Sequence, residues 1–430
     1  MIPLLVVILV CLVSPAGWAQ PRQDMVSELL AHASKASGAG DFASAARAYE
    51  EAFALWPHLS RCAWNAALAH VRAGNHEKGL QWLSRVAEFG TAYEIDTAKE
   101  LDPVRTHPDF AAVQERFRRN LEPMVRSTVA FTLPQRDLMP ESVAYDPVDD
   151  VYYLGSIYRR KVVRVDRKGQ AQDFVPEARD GLWGVLGIKL DPARRELWVN
   201  ASNLGAEMAM AIPDTETVGQ CGVFRYDLKS GALIQKYLAG NRSEPVAFND
   251  LTLASNGDVY ISAGPDGVYR IDRQADVLAP FLPVPGAWIN GIAIAPDGES
   301  LYFANSGFGI EVVNLRTKAR RLLSLPAGVV FNGVDGLYVH GESLVGIQNG
   351  VQPERVVQGF LSPQHDRITR FRVLESAHPS YDVPTTGVIV GNSLIYIATT
   401  QLGSIDQDGK LLPWDKLKDI VVLKLDLSPP

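Results

Sequence analysis

Six strand-opening residues are the candidates for chemistry in this 430-residue sequence. Each begins a run of alternating apolar and polar residues that ends in a tight turn and is followed by a second strand pattern. They recur at intervals of 41 to 63 residues and are Glu141, Leu186, Asn249, Asn290, Asp335 and Thr386. Four of them carry carboxylate or amide oxygens, the donors that hard divalent cations prefer. If the strands surround one axis, these oxygens predict a cation site there.

The predicted metal ligands are Glu141, Asn249, Asn290 and Asp335. Two carboxylates balance a divalent charge, and two amides add neutral donors without further repulsion. Two carboxylates facing each other at an axis would otherwise need a cation or a raised pKa. We expect one divalent ion, Ca²⁺ first, with Zn²⁺, Mn²⁺ and Mg²⁺ as alternatives. The competing interpretation is that Asn and Asp open these strands only as turn formers.

The repeated units also predict the architecture that would position these residues. Units of about 40 to 50 residues with about four strands are typical of β-propeller blades, whose first strand lines a central channel. The sequence therefore predicts an all-β six-bladed propeller over residues 127–430. Residues 127–133 are expected to supply a strand that closes the ring with the last blade, and residues 203–218 a loop over one face.

A helical pattern rich in Ala, Glu, Leu and Arg precedes the propeller, over residues 20–122. Gly40 and Gly74 are 34 residues apart, the length of a tetratricopeptide repeat, and glycine permits the tight turn between paired helices. These features predict a small all-α tetratricopeptide-like domain. Two repeats bury little core alone, so we expect the domain to dock on the propeller or on a partner protein. It could serve as an interaction module or as a structural cap.

The charge and the first residues indicate the setting of the protein. A formal net charge of −7 gives no electrostatic reason to expect nucleic-acid binding. Residues 2–13 are almost wholly apolar, and Gly17-Trp18-Ala19 provides small residues for a signal peptidase. Residues 1–19 are thus predicted to be a secretory signal cleaved before Gln20, which would make the protein periplasmic or secreted and free of the membrane. An uncleaved anchor is the alternative, because no Lys or Arg precedes the apolar run.

The four candidate ligands also carry a family resemblance. Their order resembles the gluconolactonase/regucalcin (senescence marker protein) family of six-bladed propellers, over residues 127–427 and not over the helical part. The motifs are Pro140-Glu141-Ser142-Val143, Phe248-Asn249-Asp250, Asn290-Gly291-Ile292-Ala293 and Val334-Asp335-Gly336-Leu337. The resemblance implies a divalent ion at these positions, often calcium and in some members zinc, and hydrolysis of sugar-acid lactones.

The resemblance also implies roles for single residues. The metal would polarise a lactone or ester carbonyl and orient water, and Asp335 would be the general base. Asp250 would either orient the Asn249 amide from behind the metal or cap a turn. Independently of the resemblance, the position of Trp288 two residues before Asn290 would let it line the channel mouth or simply pack within its blade.

One departure from the family pattern changes the expected substrate. Members that bind sugar acids carry Arg two residues before the third-blade Asn, and this sequence has Ala247 there. The lost guanidinium, for which Arg159 or Arg242 could substitute, and the apolar Leu186 both point away from a sugar acid. We therefore predict an exported metal-dependent hydrolase of a lactone or related ester, with an aryl ester or organophosphate as a further substrate class. The alternative is a non-catalytic, metal-stabilised propeller that acts with its helical repeats as a binding or scaffolding protein.

Overall fold

The computed structural model describes residues 19–203, 215–406 and 410–428. Within these residues, five α-helices are followed by twenty-four β-strands. The strands form six four-stranded antiparallel sheets, which confirms the six-bladed propeller and its helical N-terminal region. The predicted signal segment lies outside the described residues except for Ala19, and the predicted loop 203–218 is described only at its ends.

Five helices make up the N-terminal module, with a short 3-10 helix (Lys99–Val104) before the last one. Their bounds are α1 Ala19–Gly38, α2 Phe42–Leu55, α3 Ser60–Arg72, α4 His76–Glu88 and α5 Pro108–Asn120. No helix in the described part of the chain combines the length and the apolar character that a membrane span requires.

In blades one to five the strands pair in chain order, and the first strands of neighbouring blades contact one another around the ring. Blade one contains β2 Pro140–Asp146, β3 Val151–Ser156, β4 Lys161–Val165 and β5 Ala171–Val175. Blade two contains β6 Gly184–Asp191, β7 Glu196–Ser202, β8 Cys221–Asp227 and β9 Leu233–Ala239. Blade three contains β10 Ala247–Leu253, β11 Val259–Gly264, β12 Gly267–Asp272 and β13 Val277–Pro283.

Blades four and five follow the same order, and blade six differs in its fourth strand. Blade four contains β14 Ile289–Ile294, β15 Ser300–Asn305, β16 Gly309–Asn314 and β17 Arg320–Leu322. Blade five contains β18 Val334–His340, β19 Ser343–Gln348, β20 Arg355–Leu361 and β21 Ile368–Ser376. Blade six contains β22 Gly387–Val390, β23 Ser393–Ile397 and β24 Ile420–Asp426, and its fourth strand is β1 Thr128–Leu133. This pairing of β1 with β24 confirms the predicted closing strand and ties the two ends of the propeller together.

The helix pairs follow the predicted 34-residue period. Gly40 connects α1 to α2 with a φ of +80°, and Gly74 connects α3 to α4 with a φ of +83°. Glycine adopts this left-handed conformation without the steric cost of a Cβ atom. Asp41 then caps α2 by accepting a hydrogen bond from the Ser44 amide at 3.0 Å.

The helical module docks on the loops of blades four and five. The Trp56 indole donates to the carbonyl of Phe308 at 3.0 Å, and the Ala92 amide donates to that of Gln352 at 2.6 Å. Val330 of the propeller belongs to the same apolar cluster as the buried helix residues. The two parts of the chain therefore share a core, as the small size of the repeat module leads one to expect.

A buried arginine joins the two parts. Arg355 is 2% exposed and donates to Gln348 Oε1 at 2.8 Å. Its remaining nitrogens donate to the carbonyls of Phe89, Gly90 and Val330 at 3.3 to 3.5 Å. Burial lowers the pKa of this guanidinium to about 10. Within the described residues Arg355 pairs with no carboxylate, so its charge is solvated by carbonyl oxygens from both parts of the chain.

We expect Arg355→Ala to lower the free energy of unfolding by about 2–4 kcal/mol, because several buried carbonyls lose their donor. Urea denaturation measures this, with Arg316→Ala at an exposed position as the matched control. A loss no larger than that of the control would contradict the assigned role of Arg355.

The carboxylate of Glu354, which precedes Arg355 in the chain, should make the stability of the protein depend on pH. Burial, aided by the nearby Asp382 carboxylate, raises the pKa of Glu354 to about 7 from 4.5, against a hydrogen bond from the Val383 backbone. Between these pH values the folded chain binds more protons than the unfolded chain, so this group makes stability fall as pH rises. We expect Glu354→Gln to reduce that fall by about 1–2 kcal/mol, after allowance for solvent screening. Urea denaturation of the parent and of Glu354→Gln at pH 4.5 and 7.5 measures the fall. An equal fall in the free energy of unfolding for the two proteins would contradict the expectation.

Candidate active site

The strand-opening residues lie where the inner strands are irregular. Five of the six inner strands, β2, β6, β10, β14 and β18, shift register against their partner strand at this point. Such a bulge breaks the strict alternation of side chains and re-aims the residues within it. The backbones of blades four and five also approach closely here. A Cβ atom added to Gly291 would lie 2.3 Å from the carbonyl oxygen of Asp335. Only glycine fits at that position without displacing the next blade.

Asp335 is the centre of the candidate site. It lies near the start of β18 and is 6% exposed. Its Oδ1 accepts from the Asn290 amide at 3.2 Å, and its Oδ2 accepts from the Asn349 amide at 2.6 Å. Burial raises the pKa of Asp335 to about 6, opposed by the bond from Asn349 and assisted by repulsion from Asp250. Blades four and five therefore meet at this carboxylate.

Glu141 approaches the same place from blade one. It is 5% exposed, and its Oε2 has no hydrogen-bond partner. Burial raises the pKa of Glu141 well above its usual value, and the charges of Asp335 and Asp250 raise it further. The hydroxyl of Thr386 donates to the Glu141 carbonyl at 2.7 Å and holds β2 against blade six. Three carboxylates from three blades are thus close enough to repel one another.

Asp250 belongs to this group through a contact that the sequence did not suggest. It is 1% exposed, and its Oδ1 accepts from Lys189 Nζ at 2.9 Å and from the Leu251 amide at 2.8 Å. The ammonium of Lys189 lies 6.0 Å from the centre of the Tyr338 ring. Asp250 therefore binds a lysine of the neighbouring blade, and no hydrogen bond in the described structure joins it to the Asn249 amide.

The other two predicted site residues lie on the same inner strands or just before them. Asn249 is partly exposed, and its amide forms no hydrogen bond within the described residues. Trp288 is 40% exposed and covers Gly264, where a Cβ would lie 2.7 Å from the indole ring. Neither residue hydrogen-bonds to Asp335 or Glu141 within the described structure, so their part in the site remains a prediction.

The donor set suits a divalent cation. Three buried acceptor oxygens from three blades lack a donor, and they are Glu141 Oε2, Asp250 Oδ2 and Asn290 Oδ1. When the carboxylates of Glu141, Asp250 and Asp335 are ionised, the ammonium of Lys189 leaves two negative charges, which a divalent ion would balance. No group of three or more His, Cys, Asp or Glu side chains in the described part of the chain could hold a metal ion by itself. A cation here would therefore depend on amide oxygens as well.

Sequence reasoning missed Lys189, Tyr338 and Asn349. Lys189 and Tyr338 each stand three residues after a strand-opening residue, an odd offset that strict alternation assigns to the opposite face of the strand. The register shift near the start of each strand changes that alternation, so the sequence pattern did not mark them. Asn349 follows β19 in a loop, and no periodicity marks it. Arg159, considered as a substitute guanidinium, donates to Asp137 at 2.9 Å instead.

Comparisons with known proteins find similarity only to solved structures of low sequence identity. No protein-family model matches the sequence, and no curated protein matches it. Similar solved structures include a gluconolactonase from Xanthomonas campestris, with 15% identity over 67% of this chain and 86% of that one and a TM-score of 0.45. A luciferin-regenerating enzyme has 14% identity over 71% of this chain and 95% of that one, with a TM-score of 0.44. The assignment of six blades rests on the strand pairing described above.

We expect Gly291→Ala to destabilise the protein by about 3 kcal/mol or more, because the new methyl group would meet the backbone of Asp335. Thermal or urea denaturation measures the loss. Gly38→Ala is the matched control, since nothing lies within 4 Å of the methyl group added there. Equal stabilities of the two variants would show that the inner strands can separate without cost.

Proposed function

We propose that this protein is a divalent-cation-dependent hydrolase of a lactone or related ester that acts around Asp335. The observation that carries the proposal is the set of three buried acceptor oxygens without donors, contributed by blades one, three and four beside a buried carboxylate. Buried polar atoms are nearly always satisfied, so such a cluster favours a missing positive partner. The resemblance of the four strand-opening motifs to the gluconolactonase/regucalcin family supports the same reaction class.

The proposed ligands of the ion are Glu141, Asn249, Asn290 and Asp335. Carboxylate and amide oxygens favour Ca²⁺, with Zn²⁺, Mn²⁺ and Mg²⁺ as alternatives. When bound, a divalent cation polarises a substrate carbonyl and lowers the pKa of water.

The chain's own residues would position the water and move its proton. Asp335 would accept a proton from an attacking water. A bound cation would lower the pKa of this carboxylate, whereas its burial raises the pKa and so opposes that effect. The amides of Asn290 and Asn349 fix the orientation of its carboxylate. Lys189 neutralises Asp250 and so limits the repulsion between the acids.

A metal-stabilised binding or scaffolding protein is the second candidate. Both oxygens of Asp335 already accept a hydrogen bond from an amide. This leaves the carboxylate less free to receive a proton and favours a structural role. In that case the helical repeats would supply the surface for a protein partner.

Export to the periplasm or the medium is part of the proposal. It is supported by the apolar run at residues 2–13 and the small residues before Gln20. Fractionation of cells that express the full chain, with N-terminal sequencing of the product, tests it.

We expect Ca²⁺ to raise the melting temperature of chelator-treated protein, since an ion bound only by the folded state adds about 2.7 kcal/mol at a hundred times its Kd. Glu141→Gln should raise the Ca²⁺ concentration needed for half of this stabilisation about tenfold or more, because it removes a charge from the site. Glu299→Gln, at an exposed position, is the control and should respond as the parent does. An unchanged response of Glu141→Gln would exclude this carboxylate as a ligand.

A panel of lactones and aryl esters, assayed with and without chelator, tests the reaction. We expect turnover that chelator abolishes and that Asp335→Asn lowers about 10²- to 10⁴-fold, the usual loss when a general base is removed. Metal-dependent stabilisation without turnover of any compound would favour the binding protein instead.

A further inference from the structure

A cleft of about 800 Å³ lies at the boundary between the helical module and the propeller. We call it the interdomain cleft. Its helical wall comes from α3 and from the segment after α4, and its propeller wall is the loop after β19. The residues that matter below are Trp64, Leu68, Tyr93, Ala98, Asn349 and Val351.

The interdomain cleft adjoins the candidate active site through one residue. Asn349 lines the cleft, and its amide donates to Oδ2 of Asp335 at 2.6 Å. The loop that carries Asn349 is held in place, because the carbonyl of Gln352 accepts from the Ala92 amide and Arg355 anchors the start of β20. A molecule in the cleft would therefore contact Asn349, the side chain that hydrogen-bonds to the carboxylate that we place at the centre of the reaction.

The walls of the cleft favour an uncharged group. The Trp64 and Tyr93 rings stack with centroids 4.9 Å apart and planes 8° from parallel, and Leu68, Ala98 and Val351 add aliphatic surface. The charged residues of the lining are two of each sign, namely Arg61, Lys99, Glu94 and Glu100. The lining has no net charge to select an ion, and its aromatic and aliphatic side chains offer a surface for an apolar group.

The axis offers little to a sugar acid. Ala247 occupies the position of the family's arginine, and Leu186 is a buried apolar residue at the register of the ligands. Lys189, which lies at the axis, is already paired with Asp250. A substrate carboxylate would thus find no unpaired cation among these residues.

We propose that the interdomain cleft binds an alkyl or aryl substituent of the lactone or ester whose carbonyl reacts at Asp335. This inference rests on the proposed function and names its substrate class. The helical module would then form one wall of the substrate site, and the preferred substrate would be a lactone with a large apolar substituent.

The test fills the cleft with a side chain. Ala98→Trp places an indole in the cleft, and Thr97→Trp, at an exposed lining position, is a second variant in case the first folds poorly. Ala54→Trp makes the same kind of change on the exposed face of α2 and is the matched control. The substrates are unsubstituted γ-butyrolactone and its γ-phenyl and γ-octyl derivatives. The γ-phenyl lactam, which is not hydrolysed, serves as a probe of binding in thermal-shift measurements.

We expect the cleft variants to lose about tenfold or more in kcat/KM for the substituted lactones, a usual cost of a misfitted apolar group. Their activity on unsubstituted butyrolactone should stay within about twofold of the parent, and the lactam should no longer raise their melting temperature. Cleft variants that match Ala54→Trp in both measurements would overturn the inference. Absence of turnover in the parent would overturn only the proposal that the protein is a hydrolase. If the lactam raises the melting temperature of the parent but not of the cleft variants, the cleft would still be supported as the binding site of the apolar group.

Discussion

Repulsion among three buried carboxylates is the main electrostatic constraint at the candidate site. Glu141, Asp250 and Asp335 come from blades one, three and five, and each is at most 6% exposed. Burial raises the pKa of Glu141 and Asp335, and repulsion from neighbouring carboxylates raises both further. A single ammonium, that of Lys189, offsets only one of the three charges. Folded proteins rarely bury several ionised carboxylates together without a compensating positive charge, because desolvating each charge costs several kcal/mol. A divalent ion would remove that cost.

The surrounding architecture keeps these groups together. Pairing of β1 with β24 closes the ring, so no blade can move outwards without breaking a sheet. Bulges in the inner strands and the close approach at Gly291 bring the strand openings to the axis. On the same side of blade five, Arg355 and the loop of Asn349 attach the helical module beside Asp335. The module thus borders the site as well as adding to the core.

Much of the fold was predictable because propeller blades repeat a local pattern. Alternating strands, turn residues and the 34-residue period of Gly40 and Gly74 are short-range signals, and so is the closing strand once six units are counted. The inner-strand register also placed Glu141, Asn290 and Asp335 in one ring. Period-two reasoning failed at the bulges, so the bond between Asp250 and Lys189 was not foreseen. Asn349 and Arg355 act through loops and an interface whose positions depend on how the two parts of the chain dock, which no local pattern encodes.

Calorimetric titration of chelator-treated protein with Ca²⁺, Zn²⁺, Mn²⁺ and Mg²⁺ tests whether these carboxylates bind a cation. We expect at least one of these ions to bind with a stoichiometry of one per chain. Binding should be lost when Glu141→Gln and Asp335→Asn are combined, while the circular dichroism spectrum stays that of the parent. Absence of binding for all four ions, or undiminished binding in the combined variant, would contradict the claim that these carboxylates converge on a cation.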